Sequence, residues 1–189
     1  MKKFINLIIK TLMCIIYGPY WVIGKIMAGV SNHRYMREGI KTFEFNFDNL
    51  LSLPFIADDF YRDGEYTIFI LKDYRVPGVV CIIHKMKAIL VGHEMADAFM
   101  EDTLLARSIL LHEKGHAEAP GGTARIHLWW NPEDWVYNKY TPAEMAADRW
   151  AIEHGADGQL MLDNLNKLFW RRPITAYCRM QNIRRCMKK

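Results

Sequence analysis

Apolar and polar positions follow three different rhythms along this chain. Residues 4–24 read FINLIIKTLMCIIYGPYWVIG, the longest apolar run. Three short blocks rich in β-forming residues lie at 66–71 (YTIFIL), 79–83 (VVCII) and 88–91 (AILV), with Pro77-Gly78 as a turn between the first two. From about Met95 to Ala117 the apolar residues recur at helical spacing until Pro120-Gly121-Gly122 breaks the run. Thr141-Pro142 opens another helix, with Thr141 as N-cap and Pro142 at the first helical position. That helix runs to about His154 and stops at Gly155. Further helices are expected over 159–169 and from Pro173. Three strands ahead of a run of helices predict an α+β fold on a small antiparallel or mixed sheet. Residues 31–65 are mixed and polar, and Asp58, Asp59, Asp63 and Gly64 mark a loop. The stretch 127–140 is aromatic, holding Trp129, Trp130, Trp135, Tyr137 and Tyr140 around an Asn131–Asp134 turn. It reads as core filling, with a lid or pocket wall as the alternative.

The N-terminal run is long enough to span a bilayer. Lys10 inside it costs on the order of 2.5–3.5 kcal/mol on insertion scales, and ten Leu, Ile, Phe or Val residues offset roughly 3–6 kcal/mol. Spanning is therefore marginal. Lys3, Asn6, Lys10, Cys14 and Tyr17 share one helical stripe. That pattern suits a helix lying in the membrane interface, with Tyr17, Tyr20 and Trp21 at head-group level. A secretory signal is disfavoured because no A-x-A-like cleavage site follows, and a helix docked on the protein's own core is the bland alternative. Residues 1–30 are thus expected to form an apolar N-terminal helix and candidate membrane anchor.

Composition adds less than charge. The 189 residues suit one globular domain with an appended segment. Cys14, Cys81, Cys178 and Cys186 show no CxxC spacing, so neither a disulfide framework nor a cysteine zinc knuckle is expected. The net charge of +4 is unevenly spread. Residues 1–41 carry seven Lys/Arg against one Glu, residues 42–170 eleven basic against twenty acidic residues, and residues 171–189 seven basic and no acidic residues. Basic ends suit a membrane surface or nucleic acid, or simply solubility, and nucleic acid is not expected as a partner.

The chemistry starts at HEKGH. His112 and His116 are four apart, so a helix places both imidazoles on one face, close enough to share one ion. Zinc takes neutral imidazole nitrogen, and Glu113, one residue on, points toward a zinc-activated water as general base. The preceding Leu104, Leu105, Ile109, Leu110 and Leu111 make this a buried helix, where two histidines and a glutamate need partners. A catalytic zinc takes three protein ligands. Glu144 and Asp148, four apart on the next helix, supply a candidate third ligand and a partner for the free ring N–H of a ligating histidine. A competing role for Glu144 is a capping box with Thr141. Glu118, His127 and His154 are alternative third ligands. The metzincin pattern fails, since positions 119 and 122 hold Ala119 and Gly122. Gly115 would let another backbone approach closely. Tyr137, Tyr140, His127 and Arg149 are candidate oxyanion stabilisers, and strand 88–91 is the candidate edge for an extended peptide.

HExxH followed by ExxxD on a second helix resembles the gluzincin arrangement. The local form EMAADRWA is similar to HtpX-like and CAAX-protease-like membrane-associated metallopeptidases, and to the ImmA/IrrE-like peptidases. The resemblance covers about residues 103–155. It implies a zincin-like α+β domain, with a small sheet packed on the HExxH helix and a second ligand-bearing helix. It also implies His112, His116 and Glu144 as Zn2+ ligands, Glu113 as base and Asp148 as the partner of a ligating histidine. A four-helix membrane domain of HtpX type is absent from the sequence, and 129–140 matches no family pattern. The expected organisation is an anchor at 1–30, a metallopeptidase domain at 31–170 and a basic helix or tail at 171–189. The expected function is a zinc-dependent peptidase acting on a peptide or protein substrate, membrane-associated through residues 4–24, with its catalytic domain cytoplasmic. The alternative is a non-catalytic, metal-stabilised protein that binds a membrane or a partner.

Overall fold

A computed structural model of the chain describes residues 35–76, 79–122, 141–168 and 173–188, together with Ile26 and Val30. The apolar run 4–24 and the aromatic stretch 127–140, with His127, Tyr137 and Tyr140, lie outside the described residues. Among the described residues no helix is long and apolar enough to cross a membrane.

The β-forming blocks become strands β3 (Tyr66–Leu71), β5 (Val80–Ile83) and β6 (Ala88–Gly92). A further strand, β2 (Asp59–Asp63), forms where a loop was expected. It folds back on β3 about Gly64, whose φ of +62° glycine adopts without strain, pairing Asp59 with Ile70 through to Asp63 with Tyr66. The sheet is mixed, in the order β2-β3-β6-β5: β3 runs parallel to β6, and β5 antiparallel to it. The strand 88–91, expected at an edge, is therefore interior. Hydrogen bonds on both sides occupy it, and the edges of this sheet are β2 and β5. Two short strands, β1 (Lys41–Thr42) and β4 (Tyr74–Arg75), pair separately.

Alternation splits the strand side chains between two faces. Tyr66, Ile68, Ile70, Ile89 and Val91 pack against α3 (His93–Met100) and α4 (Leu104–Glu118) through Met95, Phe99, Ile109 and Leu110. Phe69, Leu71, Ala88 and Leu90 face the other way, onto Phe43, Val76 and Leu53. Leu53 belongs to α2 (Leu53–Ile56), which with α1 (Phe47–Leu51) lies in the region read as mixed and polar.

The single helix expected over 95–117 is two. Asp102 takes a φ of +49°, and Thr103 then caps α4, its hydroxyl accepting from the Ala106 N–H at 3.2 Å and donating to the Ala98 carbonyl at 3.1 Å. The cap lets α4 restart in a new direction. Beyond it come α5 (Thr141–Glu153), α6 (Gly158–Leu168) and α7 (Pro173–Cys186). These three share a core of Ala151, Met161, Leu162, Leu165, Met180 and Ile183. The basic C-terminal segment is thus a helix docked through Met180 and Ile183, with Arg184 and Arg185 left exposed. Cys81 and Cys178 are free thiols.

Where α4 crosses α5, Gly115 is required. A Cβ there would lie 2.7 Å from the Ala147 carbonyl oxygen and 2.9 Å from its Cα. The missing side chain brings the two backbones together, and with them residues 112–116 and 144–148.

Candidate metal centre

Three helices contribute to one partly buried cluster. The stretch of α4 after its apolar run carries His112, Glu113 and His116. Their donor atoms lie within 4.8 Å of one another, a group that could hold a metal ion. α5 presents Glu144 and Asp148 to the same place. Glu144 Oε2 is 3.4 Å from His112 Nε2, and Glu144 Oε1 is 3.6 Å from His116 Nε2. The opposite ring nitrogens are also engaged: His112 Nδ1 is 2.8 Å from Asp148 Oδ1, and His116 Nδ1 is 2.8 Å from the Gly122 carbonyl. Asp148 is wholly buried.

Thr141 does not hold Glu144 in a capping box. Its buried hydroxyl meets that of Thr175 on α7 at 3.1 Å, and the Glu144 carboxylate turns to the imidazoles and to a cation. That cation is Arg179 on α7. Its Nη1 is 2.6 Å from Glu144 Oε2, while Nε and Nη2 grip the two oxygens of Asp148 at 2.9 and 2.7 Å. The bidentate fork fixes Asp148 in position as well as neutralising it. Sequence reading missed Arg179 because the segment looked like a basic tail. The available signal was its place on the inward stripe of α7, beside Ala176, Met180 and Ile183.

The charges respond to this packing. Burial opposes ionisation of Glu144 and Asp148, yet Arg179 and His112 hold both carboxyls below their usual range. Burial and Arg179 push His112 down, but Asp148 and Glu144 outweigh them and lift it to about 9. Burial, then His112, lowers His116. Glu113 is pushed up to about 7 by burial, with Glu144 and Asp148 adding to it. A buried carboxyl with a pKa near neutrality can both accept and return a proton.

A cavity of about 440 Å³ opens over the cluster, bounded by the end of β5, by Met161 and Leu165 of α6 and by α7. His112, Glu113, His116, Glu144 and Arg179 all line it. Lys114, the middle residue of HEKGH, points away and ties α4 to the hairpin, its Nζ 2.6 Å from Asp63 Oδ2 and 5.7 Å from the centre of the Tyr66 ring. Among the alternative ligands, Glu118 accepts from the Tyr66 hydroxyl at 2.7 Å, and His154 stacks on Trp150 at 3.8 Å, so neither joins the cluster. Arg149 is exposed on α5. Comparison of the chain with known protein families, with curated proteins and with solved structures finds no match.

Proposed function

We propose that the protein is a zinc-dependent peptidase of gluzincin type, with His112, His116 and Glu144 as metal ligands, Glu113 as general base and Asp148 as orienting partner. The observation that carries the reading is the pair of contacts from one carboxylate to two Nε2 atoms, at 3.4 and 3.6 Å. Ligands at about 2.0–2.1 Å around a tetrahedral zinc stand roughly 3.4 Å apart, and each imidazole lies at about that range from one oxygen of Glu144, so a small turn of the carboxylate away from Arg179 would bring a single oxygen to both. The opposite nitrogens support it too, since Asp148 and the Gly122 carbonyl hold each Nδ1 and direct both Nε2 atoms toward Glu144.

Zinc bound here would polarise a substrate carbonyl and acidify a water. Glu113, at the cavity wall, takes a proton from the attacking water and returns it to the leaving amine. Arg179 compensates the two carboxylates that the imidazoles require as neighbours. An extended peptide has main-chain partners along β5, whose residues line the cavity. The open cavity favours this enzyme reading over a closed structural site, which would leave a fourth position no access. Attachment to a membrane through residues 4–24 belongs to the same proposal.

Metal analysis and peptide cleavage test it together. Wild type should carry one zinc per chain, and Glu144→Ala should lose it. Glu113→Gln should keep the zinc and lose at least about a hundredfold in cleavage of a peptide library. A Glu113→Gln protein that cleaves as well as wild type would show the mechanism to be wrong.

A further inference from the structure

Two short helices carry apolar side chains on both faces. α1 and α2 turn Leu50, Leu53 and Ile56 toward the sheet, where Leu53 is 1% exposed. Phe47, Leu51 and Phe55, successively four residues apart, are 75%, 59% and 88% exposed. A helix packed on a sheet needs one apolar stripe, and its outward face is ordinarily polar. Phe45 and Phe60 extend the exposed region. Their rings lie 5.3 and 5.9 Å from those of Phe43 and Phe69, members of the same core cluster as Leu53.

We infer that this face docks on a lipid bilayer. Charge argues against a second copy of the chain. An aromatic side chain offers on the order of 150–250 Å², so Phe45, Phe47, Leu51, Phe55 and Phe60 together expose roughly 600 Å², but pairing this face with itself would set the exposed Glu44, Asp48, Asp58 and Asp59 of each copy against the same carboxylates of the other. Shallow insertion of a few aromatic and aliphatic side chains needs no matched protein surface.

The chain leading into the face has the same character. Residues 1–41 carry seven Lys/Arg against one Glu and include the apolar run 4–24. Ile26, Val30 and Met36 are 60%, 61% and 80% exposed. Charge then separates two contributions. Glu44, Asp48, Asp58 and Asp59 are exposed around α1 and α2 and repel anionic head groups, so the hold of this face is apolar and insensitive to salt. The basic residues before it supply attraction that salt screens. α4 packs on the opposite face of the sheet, so a protein docked this way keeps HEKGH on the side away from the bilayer. The inference rests on the membrane attachment proposed above, but not on the peptidase chemistry.

The test uses the full chain with phosphatidylcholine vesicles, with and without phosphatidylglycerol, at low and high salt. Wild type should co-sediment with pure phosphatidylcholine at high salt, and amides of residues 45–60 should gain protection from hydrogen exchange on the vesicles. Phe47→Ser/Phe55→Ser should lose at least about tenfold of the salt-resistant partitioning, with an unchanged circular-dichroism spectrum. Exchange on wild type decides the matter if the variant misfolds. The inference fails if salt-resistant binding is absent, if residues 45–60 gain no protection, or if the variant partitions like wild type. It fails equally if wild type is a dimer in solution that the two substitutions dissociate, because a second copy then occupies the face.

Discussion

At the scale of single residues, each group of the cluster answers to its own neighbours. Asp148 is wholly buried, gripped by both arms of the Arg179 fork and 2.8 Å from His112 Nδ1. Asp148→Asn keeps the shape and removes the charge that orients the imidazole. Zinc affinity should fall about 10–100-fold, read by competition with a chelating dye. An unchanged affinity would mean that the pairing is incidental to metal binding. Cys81 behaves differently. Burial, with Glu113 adding to it, pushes its thiol from 9.0 up to about 11. The folded state thus favours the neutral thiol, so any stability it contributes is complete below pH 9.0 and is lost as pH rises through 11. Iodoacetamide should modify Cys81 slowly at neutral pH, with the rate rising about tenfold per pH unit until the thiol has ionised. Fast modification at neutral pH, located by peptide mapping, would contradict that environment. Residue-scale features were legible in the sequence where they are local. His112 and His116, like Glu144 and Asp148, meet because four residues make one helical turn. Arg179 was not legible, because its partners lie 31 and more residues away on another helix.

Among elements, the crossing of α4 and α5 decides whether the two motifs form one site. Each motif can be read in its own helix, but their meeting depends on Gly115 against Ala147. A methyl group at 115 would strike backbone atoms, which cannot swing aside as a side chain can. Gly115→Ala should therefore force the helices apart, costing roughly 1–3 kcal/mol in urea unfolding. Zinc affinity should fall with it, since Glu144 and Asp148 recede from the imidazoles. Wild-type affinity in a destabilised Gly115→Ala protein would show that the site tolerates the shift. The strands teach a related lesson. Their apolar blocks announced β3, β5 and β6, but pairing order is a matter of register across the sheet. Only the pairing shows β6 inside and β5 at an edge. β2 went unread because Asp59 and Asp63 are turn-like residues, and its strand form comes from hydrogen bonds to β3. The break between α3 and α4 had its own signal, Asp102-Thr103, an αL-tolerant residue before an N-cap, hidden inside a continuous helical pattern.

For the whole molecule, the cluster links two halves: the sheet with α3 and α4, and the bundle of α5, α6 and α7. Three carboxyls, two imidazoles and one guanidinium meet there. Burying charges costs several kcal/mol each before their mutual attraction is counted, so such a junction holds only while the charges balance. Arg179 offsets two carboxylates, and Glu113 escapes part of the cost by keeping a proton near neutral pH. A divalent cation between the imidazoles and Glu144 would add attraction from α4 and α5 at once, and Arg179 would carry that gain to α7. Removal of metal should therefore lower global stability and not merely abolish cleavage. Free zinc at a hundred times its Kd stabilises the fold by about 2.7 kcal/mol. For a chain of this length that is on the order of 5–10 °C in Tm. Calorimetry of chelated and zinc-loaded protein should show this rise in wild type and in Glu113→Gln, but not in Glu144→Ala. The Glu144→Ala arm is decisive. A shift of the same size there would mean that Glu144 is not a ligand, the metal being held by His112, Glu113 and His116 or at another place.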